Sequence, residues 1–286
     1  MANRERLLQT LVDLIRIDSP TGEEDAIDRE VTARLQALGF SVHHDSFNNV
    51  IAKLAGVGEP VILSAHLDTV EPGRGIQPVL EGDVLRSNGS TILAGDCKAG
   101  VSIILEALTS VVESGAAHLP IEVVFSRAEE GGLVGIHHLD FQQLAAKRGV
   151  VFDGEGPVNR VTVAAPAQNV VTATIRGRAA HAGVEPEKGI SAILIAAHVL
   201  TRLPLGRIDE ETTANIGRIE GGLKRNIIPE QAFLDGEIRS RDQGKLEHYT
   251  QEFRRTFDAV AAQYPEARLC LDIKNTYQSY QVAGSH

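Results

Sequence analysis

Apolar residues recur at helical spacing in the first part of the chain. The stripe from Leu7 to Ile15 predicts an amphipathic helix over residues 3–17. A second helix is predicted over residues 23–38, with Gly39 as its C-terminal stop. The sequence therefore predicts two helices before the first strand.

Short apolar runs follow, and most of them end in acidic or imidazole side chains. A continuous run of this length between turn residues is typical of a buried strand. The strands predicted in this way cover residues 41–54, 61–66, 121–125 and 149–152. Residues 72–90 are rich in glycine and predict a loop with a small hairpin, and residues 101–112 have helical periodicity.

Five acidic or imidazole residues follow these strands or precede the last of these helices. They are His66, Asp96, Glu129, Glu130 and Asp153. In open α/β sheets ligands bind at the carboxyl ends of the strands, so we expect these side chains to converge. Such a cluster requires a counter-charge, which a pair of divalent metals supplies, and imidazole with carboxylate ligands suits zinc best. Asp68 lies two residues after His66 and can fix the tautomer of a ligating imidazole.

Each of these residues has a simpler interpretation when it is taken alone. His66 could be a hydrogen-bonded histidine at a strand end. Asp96 could only cap the helix that follows it. Glu129 and Glu130 could be a solvated pair. The metal-site hypothesis depends on their joint occurrence.

The pattern changes beyond residue 159, which indicates a second domain. Its predicted order is strand, helix, two strands, helix and strand, the order of a ferredoxin-like fold. These elements cover residues 169–176, 189–203, 213–219, 232–238, 245–263 and 267–274.

Composition narrows the classes of function. The chain has 286 residues, 43% of them hydrophobic, which is enough for one large domain or two ordinary ones. A formal net charge of -10 without a basic stripe argues against a nucleic-acid partner. The sequence has no apolar run long enough for a membrane helix. Cys97 and Cys270 are far apart in the chain, so free thiols and a reducing cytoplasm are expected.

Five motifs in this order resemble the dizinc exopeptidase and deacylase family that includes peptidase T, glutamate carboxypeptidase and succinyl-diaminopimelate desuccinylase. They are Ser64-Ala-His-Leu-Asp-Thr-Val70, Gly95-Asp-Cys-Lys-Ala-Gly100, Glu129-Glu-Gly131, Phe152-Asp-Gly154 and His181-Ala-Gly183. The resemblance runs through nearly all of the chain. The sequence around His66, together with Thr91-Ile-Leu-Ala-Gly-Asp96, is most similar to the peptidase T branch.

The resemblance implies metal ligands for two zinc ions. His66 and Asp153 would hold one zinc ion, Glu130 would hold the other, and Asp96 would bridge both. Asp68 would orient His66.

The resemblance also implies catalytic and substrate-binding roles. Glu129 would be the general base, and His181 would stabilise the oxyanion, often in the partner subunit's site. Asn226 and Arg239 would hold a substrate carboxylate or backbone. Without the resemblance, His181 and Asn226 could be ordinary turn residues and Arg239 a solvated salt-bridge partner.

The sequence departs from the family's pattern at two places. The family's usual Asp-Asp pair is Asp96-Cys97 here, which keeps the bridging ligand and places a thiol beside it. Family members also return to the first domain after the second and supply a His to the second zinc site. This sequence stops at Tyr280-Gln-Val-Ala-Gly-Ser-His286, where that return should start. His286 is a terminal residue rather than the missing ligand, so the second zinc site is expected to lack its C-terminal His.

These observations predict an α/β protein with a mostly parallel catalytic sheet, incomplete at its C-terminus, and an inserted ferredoxin-like lid or dimerisation domain. The predicted boundaries are residues 1–164 for the catalytic domain, 165–276 for the second domain, and 277–286 for the start of a truncated return.

The predicted function is zinc-dependent hydrolysis of short peptides by an aminotripeptidase, with reduced or no activity in this chain. The alternatives are a carboxypeptidase or N-acyl amino acid deacylase of the same family, or a non-catalytic remnant that dimerises or binds peptide. The expected partners are a peptide or N-acyl amino acid substrate and a second copy of the chain, with no nucleic acid and no membrane.

Overall fold

A computed structural model describes residues 2–154 and 156–282 of the chain. The chain divides into two compact units, residues 1–158 and residues 159–286. Each unit has its own hydrophobic core. Within the described residues, no helix combines the length and the apolar character that crossing a bilayer requires.

The first unit begins with two helices, which lie within the ranges predicted for them, and continues with short strands and two further helices. Its elements are α1 (Arg4–Ile15), α2 (Asp25–Ala37), β1 (Ser41–His44), β2 (Val50–Leu54), β3 (Val61–His66), β4 (Pro78–Glu81), β5 (Val84–Ser87), α3 (Gly95–Ser114), β6 (Ile121–Ser126), α4 (Val134–His138) and β7 (Gly149–Val151). The predicted hairpin within residues 72–90 is formed by β4 and β5.

Five of these strands form one mixed sheet in the order β1-β2-β6-β3-β7. Strands β6, β3 and β7 are parallel, β2 pairs with β6 in antiparallel fashion, and β1 pairs with β2 in antiparallel fashion. Apolar residues of α1, α2 and α3 pack on one face of this sheet, and a smaller cluster around Ile51 and Val124 covers the other. Every residue of β6 is buried because both of its faces are covered. The predicted α/β class is confirmed, with mixed rather than mostly parallel pairing.

The second unit is a sheet with two helices. Its elements are β8 (Ala164–Ala165), β9 (Ala167–Arg176), α5 (Ala192–Leu200), β10 (Gly206–Arg207), β11 (Thr212–Gly221), β12 (Gln231–Ser240), α6 (Gln243–Ala261), β13 (Arg268–Tyr277) and β14 (Tyr280–Gln281).

The main sheet of this unit has the order β10-β11-β12-β9-β13, and its strands pair in antiparallel fashion. Alternate residues of β9 are buried, and the apolar ones belong to the same core cluster as residues of α5 and α6. This arrangement has the ferredoxin-like order that the sequence predicts. Beyond it, β14 pairs with β8. His286 lies outside the described residues.

Candidate metal centre

The parallel pairing of three strands brings the predicted site residues of the first unit to one edge of the sheet. His66 ends β3 and lies opposite Ser126 at the end of β6. Ser64, two residues earlier, lies opposite Val151 at the end of β7. The loops that carry Glu129 and Asp153 therefore leave the sheet beside His66.

His66 is the centre of this cluster and is 2% exposed. Its Nδ1 lies 2.9 Å from the backbone oxygen of Asp68 and 3.4 Å from the carboxylate of Asp68. Since a carbonyl oxygen only accepts, Nδ1 carries a proton, and Nε2 is the nitrogen that faces the carboxylates and could ligate a metal in place of its own proton. Nε2 lies 2.9 Å from Asp96, 3.6 Å from Asp153 and 3.9 Å from Glu129.

Asp96 reaches this cluster from an irregular helix start. Both Asp96 and Cys97 have non-helical backbone angles at the beginning of α3, and the peptide bond between them is cis. The Asp96 carboxylate contacts His66. Asp96 therefore does more than cap the helix, which was the simpler interpretation of the sequence.

Asp153 is positioned by close packing of α3 against the end of β7. A Cβ added to Gly100 would lie 2.0 Å from the backbone oxygen of Phe152, so only glycine permits this approach. The thiol of Cys97 donates to the same oxygen at 2.8 Å. Burial raises the pKa of Cys97 to about 12, so the thiol stays protonated.

The Glu129–Glu130 pair is held through its backbone by Asp68. The buried carboxylate of Asp68 accepts the N–H of Glu129 at 2.8 Å and the N–H of Glu130 at 3.1 Å. It also accepts the hydroxyl of Thr21 at 2.8 Å. Asp68 therefore contacts both the imidazole and the acidic loop.

The pKa shifts show that the carboxylates of this cluster are too buried and lie too close together for all of them to ionise easily. Burial raises the pKa of Glu129 and Glu130, and burial followed by the contact with Asp153 raises the pKa of Asp96. Burial lowers the pKa of His66, but hydrogen bonds with the surrounding carboxylates, that of Asp153 first, raise it to about 11. These shifts are those expected where a cation is needed to balance several carboxylates.

The donor set fits a divalent metal. Donor atoms of His66, Asp96, Cys97 and Asp153 lie within 4.8 Å of one another, and so do those of His66, Glu129 and Glu130. Imidazole nitrogen and carboxylate oxygen are ordinary zinc ligands, whereas the protonated Cys97 thiol already donates a hydrogen bond to a backbone oxygen. All five residues predicted to converge take part in these two groups.

Of the three site residues predicted in the second unit, two are neighbours and the third lies on a strand. His181 forms an isolated β-bridge with Ile227 just before a turn, and its Nδ1 accepts the N–H of Gly183 at 3.2 Å. The backbone oxygen of Asn226 accepts the N–H of Ala182 at 3.0 Å, which places Asn226 beside His181. Arg239 is on β12 and donates to Glu237 at 2.8 Å, but its buried Nε has no hydrogen-bond partner among the described residues.

Sequence reasoning missed the polar residues that support the acidic loop, namely the exposed Thr21 and the buried Glu24 and Asn49. Their contacts join positions 47 to 104 residues apart. No local spacing indicates such contacts. The only signal was the turn of residues 18–22, in which the polar residues looked like ordinary turn chemistry.

Two family models match the chain. The model of peptidase family M28 matches residues 49–182, and the M20 peptidase dimerisation domain matches residues 169–265. The first match covers the metal-centre residues and the second covers most of the ferredoxin-like unit.

Individual relatives match over most of the chain. The uncharacterized protein YqjE of Bacillus subtilis is 40% identical over 272 residues, which cover 92% of this chain and 73% of that protein. The crystal structure of aminopeptidase PepT from Bacillus cereus has a TM-score of 0.90 at 37% identity, and that of a tripeptidase from Staphylococcus aureus has 0.94 at 32% identity. In both comparisons the match covers all of this chain and 79% of the chain in the crystal structure. These similarities confirm the resemblance indicated by the motifs: the chain belongs to the M20 family of peptidases, which are hydrolases, as a peptidase T-like member.

Proposed function

We propose that this chain is a zinc-dependent exopeptidase that binds two metal ions and releases the N-terminal residue of short peptides, tripeptides above all. The observation that supports this most is the gathering of four acidic side chains and a tautomer-fixed imidazole at one sheet edge. The similarity to an aminopeptidase and to a tripeptidase, both above 30% identity, favours peptide substrates over others of the family.

The residues fit the ligand roles that the resemblance implies. His66 and Asp153 would hold one ion, Glu130 the other, and Asp96 would bridge them. When bound, zinc supplies Lewis acidity that polarises the scissile carbonyl and makes water a better acid.

Glu129 is the proposed general base. It belongs to the same group of donors as His66 and Glu130, and burial raises its pKa towards the range in which a carboxylate exchanges protons efficiently. It would take a proton from the attacking water and pass it to the leaving amine.

The second unit would provide substrate contacts and a homodimer interface. His181 would stabilise the oxyanion, and Asn226 beside it would bind substrate backbone. The buried Nε of Arg239 has no hydrogen-bond partner among the described residues, and a guanidinium binds a peptide carboxylate through two parallel bonds. The match to a peptidase dimerisation domain supports a dimer through this unit. The two free thiols are consistent with a reducing cytoplasm as its location.

The test is a comparison of substrates with the purified chain, freed of metal and then supplied with zinc. We expect hydrolysis of tripeptides with a free amino terminus, and little or none of the same tripeptides after N-acetylation. Cleavage of N-acyl amino acids alone would favour the deacylase alternative. A protein that binds zinc weakly and cleaves neither substrate would favour the non-catalytic alternative.

A further inference from the structure

Four successive backbone N–H groups around the acidic pair donate to buried side chains from three separate segments. The N–H of Arg127 donates to Asn49 at 3.0 Å, and that of Ala128 donates to Glu24 at 3.0 Å. The next two, of Glu129 and Glu130, donate to Asp68. The three acceptors, Asn49, Glu24 and Asp68, are at most 1% exposed.

Glu24 contacts Ala128, the residue immediately before the proposed base. One of its oxygens accepts the N–H groups of Ala128 and Gly22, and the other accepts the Nε and Nη2 of Arg127 at 3.1 and 3.0 Å. Ala128 has a φ of 51°, in the left-handed region that a residue with a Cβ rarely adopts. A strained residue of this kind needs external contacts to hold it, and Glu24 provides one.

The segment that carries Glu24 also contacts the residues that follow His66. Thr21, three residues earlier, donates its hydroxyl to Asp68, and its N–H donates to the backbone oxygen of Thr69. One turn therefore contacts both the strand end that carries His66 and the loop that carries Glu129.

From these contacts we propose that Glu24 is a positioning residue, which fixes the backbone of Ala128 and thereby the place of the Glu129 and Glu130 carboxylates. The inference rests on the proposed function. Because a misplacement of about 1 Å at a reacting group can reduce a rate by about 100-fold, loss of this contact should affect turnover and metal binding more than substrate binding.

The neighbouring Asp25 provides a matched control. It pairs with the same Arg127 guanidinium at 2.6 Å, but its side chain is 73% exposed. Among the described residues it has no hydrogen bond to the backbone of residues 127–130. Glu24→Gln and Asp25→Asn therefore remove one negative charge each beside Arg127, and only the first alters the acceptor of the Ala128 N–H.

The experiment measures three properties of both variants and the wild type at a temperature where thermal unfolding shows each to be folded. These are zinc affinity by titration calorimetry, the visible absorption of the Co²⁺-loaded protein, and kcat and KM on a tripeptide. For Glu24→Gln we expect about 10-fold weaker zinc binding, an altered Co²⁺ band and about 10–100-fold lower kcat with KM within about twofold of wild type. Asp25→Asn should stay within about twofold in all of them.

Two outcomes would overturn the inference: a folded Glu24→Gln with wild-type zinc affinity and kcat, or equal losses in Asp25→Asn. If Glu24→Gln does not fold, Glu24→Asp keeps the charge beside Arg127 but shortens the reach to Ala128, and the same criteria then apply to it. A wild type that neither binds zinc nor cleaves tripeptides would instead overturn the proposed function.

Discussion

The carboxylate of Asp68 accepts the backbone N–H of Glu129 at 2.8 Å, across 61 residues of sequence. Asp68 also lies beside the imidazole of His66, so one buried side chain contacts both a proposed ligand and the proposed base. Its pKa is lowered below the ordinary range because the hydrogen bonds that it accepts outweigh its burial. Its negative charge is therefore maintained at neutral pH.

Replacement of Asp68 by Asn is expected to weaken the centre without emptying the space that Asp68 fills. An amide has one acceptor oxygen instead of two, so one of the N–H groups of Glu129 and Glu130 loses its partner. We expect kcat or metal affinity to fall about 10–100-fold. Steady-state kinetics and zinc titration measure this effect.

Thr21→Val is the matched control for that change. It removes one neutral donor to Asp68 and leaves the carboxylate on both N–H groups, so its losses should be several-fold smaller. Equal losses in the two variants would contradict the role assigned to the Asp68 charge.

Glu129 and Glu130 are adjacent, and their substitution should have different effects. Glu129→Gln removes the proposed base but none of the proposed ligands, so kcat should fall about 10²–10⁴-fold while the bound zinc per chain stays at the wild-type value. Glu130→Gln should lose zinc, as measured by metal analysis after dialysis. Loss of metal in Glu129→Gln with retention in Glu130→Gln would reverse the two assignments.

The parts of this protein that depend on local sequence were predictable, and those that depend on distant contacts were not. The positions of His66, Asp96 and Asp153 at a strand end or a helix start were predictable because hydrophobic periodicity sets where those elements lie. The antiparallel pairing of β1 and β2, which makes the sheet mixed, was not, since strand direction depends on connections that short apolar runs do not encode. From the sequence, Asp68 was expected to act on the imidazole alone. Its hydrogen bonds to Glu129 and Glu130 were not predicted, because they connect segments about 60 residues apart.

Arg239 is expected to affect substrate binding through its guanidinium, which is partly exposed and whose Nε lacks a hydrogen-bond partner in the part of the chain that the structure describes. Lysine keeps the charge but loses the planar fork, so Arg239→Lys should raise KM for tripeptides about 10-fold, with a smaller change in kcat. The control is Arg241→Lys, at an exposed arginine two residues away that donates to a backbone oxygen. A wild-type KM in Arg239→Lys, or the same rise in both variants, would contradict the proposed contact.

Gly100 should be intolerant of substitution because α3 approaches the backbone of Phe152 so closely. Gly100→Ala must displace the helix or the segment before Asp153, and overpacking of this kind costs about 1–3 kcal/mol of unfolding free energy. Gly95, also on α3, has nothing within 4 Å of an added Cβ. Urea unfolding of Gly95→Ala should therefore show a much smaller change, and equal destabilisation would contradict the packing argument.

Away from the metal centre, the ion pair between Arg6 of α1 and Glu106 of α3 predicts a pH-dependent stability. Glu106 is 3% exposed and accepts the Nε and Nη2 of Arg6 at 2.6 and 2.9 Å. These hydrogen bonds lower the pKa of Glu106 to about 2. Because the folded pKa lies below the unfolded one, the stabilisation is complete above about pH 5 and is lost as the pH falls towards 2.

Glu106→Gln should therefore lower the free energy of unfolding by about 1.5–3 kcal/mol at pH 7, and the difference from wild type should shrink between about pH 4.5 and pH 2. Glu113→Gln is the control, since Glu113 pairs with the same Arg6 but is 58% exposed, and exposed pairs contribute about 0–1 kcal/mol. Urea unfolding at several pH values measures both variants. A difference for Glu106→Gln that grows as the pH falls would have the wrong sign for a carboxylate with a lowered pKa and would exclude the pair as its source.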